Sequence, residues 1–439
     1  MARTEPARGM RDFLPEDVRR REYVIGVIKR VYERYGFEPL ETPAVENIDT
    51  LLGKYGEEGN QLIFKILKRG EHEASGQADL ALRYDLTVPL ARVIAHHQSE
   101  LPRLFKRYQI QPVWRADRPA RGRFREFYQC DVDALGSTSP AVEAELCAAV
   151  SDALIELGFN DFKIRLNHRQ LLTAILNSAG IAPDLHGTAL VAIDKLDKVG
   201  VDGVAAEFEQ RGINTAAATV IDKLRGFQEK PASMAGAFDD AGEQAWRNVA
   251  QIVYLATGTS AAKRIELDLS LARGLSYYTG AIMEINVADL AGSLGGGGRY
   301  DNLVGMFLGQ SIPACGFSLG LERILVVMGE RGMFPASLAT TPADVMMAVF
   351  DPKDLDSALR VAGALRQAGL RVLTYPEPDK IGKQIKYADS RRIPYVAILG
   401  GDELAAGTVT VKDLAGKAQQ TYPQAEAGAK ISEELKRRG

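Results

Sequence analysis

The stretch from Phe105 to Leu135, FKRYQIQPVWRADRPARGRFREFYQCDVDAL, constrains this chain more than any other. Two runs rich in aromatic and branched residues flank RPARG, where Pro119 and Gly122 mark a turn, so the segment reads as two strands joined by a basic loop. Side chains change face at every residue of a strand. In the return run Phe124, Tyr128 and Val132 therefore point one way, and Arg125, Gln129 and Asp133 the other. One face of a central strand then carries a cation, an amide and a carboxylate. Arg115, Arg118, Arg121, Arg123 and Arg125 crowd the hairpin with little acid beside them in sequence. Guanidinium forks suit phosphates, and an amide beside a carboxylate suits a small polar ligand. An edge hairpin with solvated arginines is the competing reading of the same residues.

At 439 residues the chain exceeds one hydrophobic core and calls for roughly two to four domains. A net charge of −3 gives no overall basic excess, so any nucleic-acid contact must be local. Cys130, Cys147 and Cys315 are far apart with no CxxC, and the five histidines show no HExxH spacing. That pattern speaks against a zinc site or a disulfide framework and fits a reducing cytoplasm. MARTEPARGMRDFLPED has no apolar core and no later run approaches a membrane span, so a soluble cytoplasmic protein without a membrane partner is expected.

Taken in order, Pro15, Glu16 and Asp17 open a helix whose apolar stripe is Val18, Tyr23, Val27, Ile28 and Val31, and Gly36 closes it. FEPLETPAVENIDTLL is extended, and Pro39 and Pro43 suit an edge or an interface strand. ALRYDLTVPLARVIAHH is a strand running into a helix, with Thr87 as the predicted N-cap and Pro89 in the first turn. Asp85 there either caps the dipole or meets a ligand amine. SPAVEAELCAAVSDALIELGF reads as an amphipathic helix with an acidic, capped start. Residues 167–262 turn Ala-, Asp- and Lys-rich with a helical period, which marks an inserted helical domain.

Strands return in IELDLSLARGLSYYTGAIMEINVADL and SLGGGGRYDNLVGMFLG. Gly295 to Gly298 allow positive φ and close backbone approach, or form a plain turn. GFSLGLERILVVMGERG is a strand entering an apolar helix, with Arg323 free to pair with Glu322 or Glu330 or to face a phosphate. Past Pro342 the strands DVMMAVF, RVLTYP and YVAILG alternate with helices, a separate α/β domain with a mostly parallel sheet. Lys380, Lys383, Lys386, Arg391 and Arg392 give it a charged face that suits solvent or nucleic acid. Neither GxxxxGK[ST] nor GxGxxG after a strand occurs, so ATP, if used, must be held by arginines on an antiparallel sheet.

GMRDFLP, LETPAVEN, RYDLTVPLAR, GRFREFYQCDVD, ARGLSYYTG and GFSLGLERI, in this order, resemble the histidyl-tRNA synthetases of the class II aminoacyl-tRNA synthetase family over nearly the whole chain. LETPAVEN resembles motif 1, with Pro43 at its hallmark proline, and the hairpin and GFSLGLERI resemble motifs 2 and 3. The resemblance implies an α+β fold: an antiparallel sheet flanked by helices, with a helical insertion and a C-terminal α/β domain. Its parts would be residues 1–166 and 263–335 as the catalytic domain, 167–262 as the insertion and 342–439 as an anticodon-binding domain. It implies ligation of L-histidine to tRNA(His) through a histidyl-adenylate, with ATP and accompanying Mg²⁺, no tightly bound metal, and a homodimer.

The resemblance also implies residue roles. Asp85, Thr87 and Gln129 would hold the α-amino group, while Asp133 and Tyr277 would meet the imidazole, with Tyr278 and Tyr300 completing the histidine pocket. Arg115 would bridge the substrate carboxylate and the α-phosphate, and Arg273 would stabilise the transferring phosphoryl group. Arg123, Glu126, Gly320 and Arg323 would contact ATP. Ser276 stands where the family has aspartate, and QCDVD resembles the branch that includes eukaryotic enzymes rather than the HQLGCE form. Two rival readings share the resemblance: a catalytically silent paralogue like the regulatory subunit of ATP phosphoribosyltransferase, and a histidine or tRNA sensor.

Overall fold

Pro15 and the acids behind it open the helix Pro15–Arg34, where orphan N–H groups and the helix dipole favour them. Val24 and Tyr32 join Val27, Ile28 and Val31 in its buried stripe, while Val18 and Tyr23 stay half-buried. Gly36, at φ +75°, ends the run. The structure is a computed structural model that describes residues 4–70, 75–213, 217–272, 277–335, 338 and 341–438. It divides into two units, Met1–Met333 and Phe334–Gly439.

The first unit contains, in chain order, β1 (Glu38–Pro39), β2 (Val45–Asn47), β3 (Lys65–Leu67), β4 (Ala78–Leu82), β5 (Phe105–Trp114) and β6 (Glu126–Leu135). β7 (Lys163–His168), β8 (Ile265–Leu267), β9 (Ala281–Asn286), β10 (Ser293–Arg299) and β11 (Ala314–Gly320) follow. Eight strands form one sheet in the order β1-β5-β6-β11-β10-β9-β7-β8, and β2-β4-β3 form a small separate one. The outermost pairings of the large sheet, β1 with β5 and β7 with β8, are parallel, and those between are antiparallel. Pro39 lies in the edge strand, where its missing N–H costs nothing.

The hairpin β5–β6 is interior, because β11 pairs with the free side of β6. β6 starts at Glu126 rather than Phe124, since the N–H of Arg125 donates to Gly9 O at 2.8 Å. Gly295 to Gly298 lie inside β10 with no positive φ, so they serve close approach rather than a turn. A Cβ on Gly297 would come within 2.1 Å of Gly316 O on β11. The helix Ala141–Glu156 is not amphipathic: Glu143, Leu146, Cys147, Val150 and Leu154 are buried on several faces, and its N-cap, Pro140, has no side-chain cap bond. It packs against the helices Pro15–Arg34 and Asp240–Ala256 as well as β11, so little of it is left for water.

Among the described residues, five α-helices lie between Arg169 and Ala256, one of them kinked at Gly200. Their core, with Ile175, Ile193, Phe208 and Leu224, runs on into Leu269, Leu271 and Ile282 at the sheet.

In the second unit β12 (Val345–Ala348), β13 (Val372–Thr374), β14 (Tyr395–Ile398), β15 (Thr408–Asp413) and β16 (Gln419–Pro423) form one sheet in the order β13-β12-β14-β15-β16. The expectation of a mostly parallel sheet is corrected. β12 pairs in parallel with β13 and β14, but β14–β15 and β15–β16 are antiparallel. The second hairpin escaped notice because TVTVKD and QQTYP are polar, and β16 is largely exposed. Lys380, Lys383, Lys386, Arg391 and Arg392 are all exposed.

Candidate active site

A cavity of about 890 Å³ opens over the sheet face that carries Phe127, Gln129, Asp131 and Asp133 of β6. Alternation puts exactly these odd positions together, and the hairpin register sets Arg107 opposite Asp133, Gln109 opposite Asp131 and Gln111 opposite Gln129. Arg107 is fully buried, with Nη2 at 2.8 Å from Asp133 and 3.9 Å from Asp131. Tyr300 donates its hydroxyl to Asp133 Oδ1. Burial pushes both carboxyls up against the pull of Arg107, Asp131 to about 7. Gly316 makes room for this arrangement, since a Cβ there would stand 1.8 Å from Asp133 Oδ1.

Tyr300 is held in turn by its neighbour. Arg299 forms a buried bidentate pair with Glu143, at 2.6 and 2.8 Å, and also donates to Ser137 O.

Asp85 sits between β4 and the helix Thr87–His96. Its Oδ1 accepts from Val88 N–H and from Tyr55 Oη, each at 3.0 Å, and its Oδ2 accepts from Tyr277 Oη at 3.3 Å. The helix is therefore capped by Asp85 and not by Thr87, which is its first helical residue. Burial raises the Asp85 carboxyl, and these donors together with Arg115 oppose the shift. Tyr277 packs edge-on against Tyr278 and Tyr300, so the three rings wall one end of the cavity.

Next to the Asp85 cluster, Arg115 donates Nε to Tyr84 O at 3.0 Å and lies over the rings of Tyr84 and Phe127, 4.3 and 5.1 Å from their centroids. Its terminal nitrogens make no hydrogen bond among the described residues. Arg123 lines the cavity but forms a bidentate pair with Asp117. Arg121 pairs with Glu330, so the basic loop is quieted by one acid of its own, Asp117, and one from elsewhere in the fold. Arg125 turns to Asp117 O, away from the cavity, and the cation expected on the β6 face is supplied by Arg107 and Arg115 of the hairpin's first half. Arg323 lines the cavity beside Gly320 and donates to Ser293 O and, at 3.3 Å, to Ser293 Oγ. Glu322 is buried, accepts from Tyr128 N–H at 2.9 Å, and is pushed up by burial to about 7.

Thus Asp85, Thr87, Arg115, Arg123, Gln129 and Asp133 meet Tyr277, Tyr278, Tyr300, Gly320 and Arg323 around one cavity. Glu126 does not line it, as alternation turns it to the opposite face of β6. Arg273 and Ser276 lie outside the described residues. Sequence reasoning missed Tyr55, Arg107, Asp131 and Ser318. Asp131 shares the alternation of Gln129 and Asp133, and counting outward from the turn finds Arg107; nothing local marks Tyr55.

Residues 9–324 match the family model for histidyl-tRNA synthetase, and residues 344–434 match an anticodon binding domain. The histidine–tRNA ligase of Gloeobacter violaceus is 43% identical over 98% of each chain. That of Porphyromonas gingivalis is 42% identical over 95% of this chain and 96% of its own. The crystal structure of histidyl-tRNA synthetase from Nostoc sp. PCC 7120 superposes with a TM-score of 0.82 at 32% identity, covering 99% of this chain and 100% of the other. With the motifs gathered around one cavity and both family models matched in order, the chain belongs to the histidyl-tRNA synthetase family of class II aminoacyl-tRNA synthetases.

Proposed function

We propose that this protein ligates L-histidine to tRNA(His) through a histidyl-adenylate, releasing pyrophosphate and then AMP. The observation that carries the reading is the polarity of the cavity. Its buried lining is rich in acceptors, and beside them it presents the Arg115 fork on an aromatic platform. A zwitterionic amino acid laid between them places its ammonium and imidazole among acceptors and its carboxylate beside a cation. Asp85, Thr87 and Gln129 are assigned to the α-amino side, and Asp133, Tyr277, Tyr278 and Tyr300 to the ring side.

The nucleophile is the substrate carboxylate, already ionised at pH 7, so no catalytic base is needed. The barrier is the approach of like charges, and the protein lowers it by alignment and charge neutralisation. Arg115 would bridge the carboxylate and the α-phosphate, Arg323 would face the distal phosphates, and Arg273 would hold the transferring group. Arg123 would reach ATP on exchanging Asp117 for a phosphate. Among the described residues no group of three His, Cys, Asp or Glu side chains stands at metal-holding distance, so magnesium would be held chiefly through the ATP phosphates. When bound it would supply further neutralisation of phosphate charge.

The second step moves histidine to the terminal ribose of the tRNA. The second unit would read the anticodon with its exposed Lys380, Lys383, Lys386, Arg391 and Arg392, and residues 167–262 would act as an inserted domain. A homodimer built on the motif 1 region around Pro43 and a cytoplasmic location complete the proposal. No helix among the described residues is long and apolar enough to cross a membrane. The matched anticodon-binding region and the arginine-lined end of the cavity favour this reading over a regulatory paralogue or a sensor.

The test is ATP–pyrophosphate exchange with each amino acid, for the natural protein and for Arg115→Ala and Arg273→Ala. Exchange with histidine alone, reduced about 10²–10⁴-fold in each variant, is expected. Histidine binding without exchange would move the protein to the regulatory class.

A further inference from the structure

We infer that Asp131, to which the resemblance assigns no role, receives the ammonium of the amino-acid substrate and sets the preference for ligands that carry one. The inference rests on the reading of the cavity as a histidine site. Asp131 is 2% exposed, lines the cavity, and its Oδ1 has no hydrogen-bond partner. Gln129 Oε1, two residues earlier on the same strand face, is buried and unpartnered as well. Both side chains are tied to Ser318 of β11. Gln129 Nε2 donates to Ser318 Oγ at 3.0 Å, and the same hydroxyl serves Asp131. One bridging hydroxyl thus holds two orphan acceptors side by side.

Buried acceptors without donors are costly, and native structures keep them where a ligand will supply the donors. A neutral imidazole brings one N–H and one lone pair, so it would leave one acceptor unserved and add another. An ammonium brings three donors and no acceptor, and its charge suits the surroundings. Asp131 and Asp133 share one buried cation, Arg107, and Asp85 has Arg115 as its nearby cation, so three carboxyls face two guanidiniums here. Asp85 is the poorer acceptor of the three, since Val88 N–H, Tyr55 and Tyr277 already donate to it. Asp133 Oδ1 accepts from Tyr300, and its Oδ2, though without a hydrogen bond, lies 2.8 Å from Arg107. Asp131, 3.9 Å from the same cation and with an orphan Oδ1, is the more open of the two.

The test is calorimetric titration of the full chain with L-histidine and with imidazole-4-propionate, which is histidine without its ammonium. Asp131→Asn is expected to weaken histidine about 10- to 100-fold, the range for a hydrogen bond to a charged group. Imidazole-4-propionate should bind unchanged or tighter, so the natural protein's preference for histidine collapses. Unchanged histidine affinity, or equal losses for both ligands, would overturn the inference, the second result placing Asp131 at the ring or in a purely structural role. A natural protein that binds neither ligand overturns the histidine reading itself, a failure visible before any substitution. Should Asp131→Asn fail to fold, Ser318→Ala carries the test. A loss of about three- to tenfold confined to histidine supports the inference, and no loss or an equal one overturns it.

Discussion

Replacing Arg107 by methionine should destabilise the first unit by an amount that depends on pH. The guanidinium is 0% exposed, 2.8 Å from Asp133 and 3.9 Å from Asp131, and also donates to Gln109 Oε1 and Leu86 O. At an effective dielectric of about 20, a unit pair at the shorter distance attracts by about 6 kcal/mol. Desolvating both ions takes part of that back, and breaking such a buried pair costs about 3–5 kcal/mol because the surviving charge is left without a partner. Arg107→Met leaves two carboxylates in that condition.

Protons can relieve them. Burial already raises both carboxyls in the folded protein, Asp131 to about 7. A carboxyl raised on folding contributes stability that is fully present below its unfolded value of about 3.9 and is lost as pH rises through its folded value. Removing Arg107, which pulls both down, moves that loss to higher pH and steepens its total. The penalty should therefore be about 1 kcal/mol near pH 5.5 and about 3–5 kcal/mol at pH 8, growing by up to about 1.4 kcal/mol per pH unit for each carboxyl that ionises. Both tryptophans, Trp114 and Trp246, lie in the first unit, so fluorescence-monitored urea unfolding at several pH values isolates it from the second. A penalty that is flat with pH would refute the reasoning, and so would one that shrinks as pH rises.

Gly316→Ala should raise the histidine KM about 10- to 100-fold with little change for ATP. Its methyl would stand 1.8 Å from Asp133 Oδ1 and must displace that carboxylate, which separate substrate titrations in the exchange assay would read. Glu322→Gln should leave stability nearly unchanged at pH 5 and raise it by about 2–3 kcal/mol at pH 8. The buried Glu322 carboxyl is pushed up to about 7, so its contribution is lost as pH rises through that value, and the amide can still accept from Tyr128 N–H. Thermal melts of the two proteins across that range would show a flatter dependence for the variant.

Local signals in this chain were legible wherever one residue type had one physical use. Pro15, the acids after it and Gly36 mark the ends of the first helix through backbone requirements alone. Pro39 marks the sheet edge because the missing N–H needs no partner there. The signals misled where a neighbour distant in sequence decided the outcome. The helix Ala141–Glu156 looks two-faced in isolation, yet two helices and a strand cover it. The basic loop looks like a phosphate clamp, yet the distant Glu330 holds Arg121, while Asp117 within the loop holds Arg123. β15 and β16 lack a continuous apolar run: β15 is buried yet alternates Thr with Val, and β16 is an exposed edge strand held by backbone bonds.

The site shows the same division, with one instructive exception. Tyr55 reaches Asp85 across 30 residues of sequence, and no pattern in the chain announces it. Arg107 and Asp131 were readable in principle. Once the turn at Pro119–Gly122 is accepted, antiparallel pairing places Arg107 against Asp133 and Gln109 against Asp131, and alternation turns Asp131 to the same face as Gln129. A hairpin therefore specifies pairs of residues, and its functional content lies in the pairs rather than in either strand. Read strand by strand, QCDVD offers an amide and one carboxylate that matter, and the cation comes from the wrong place, Arg125. Read as pairs, it offers two carboxylates sharing one buried arginine, with a net negative charge that a cationic ligand group would balance. The proton uptake expected for Arg107→Met and the ammonium preference expected of Asp131 are two consequences of that one excess charge. A proton relieves it when the cavity is empty, and the substrate ammonium relieves it when the cavity is filled.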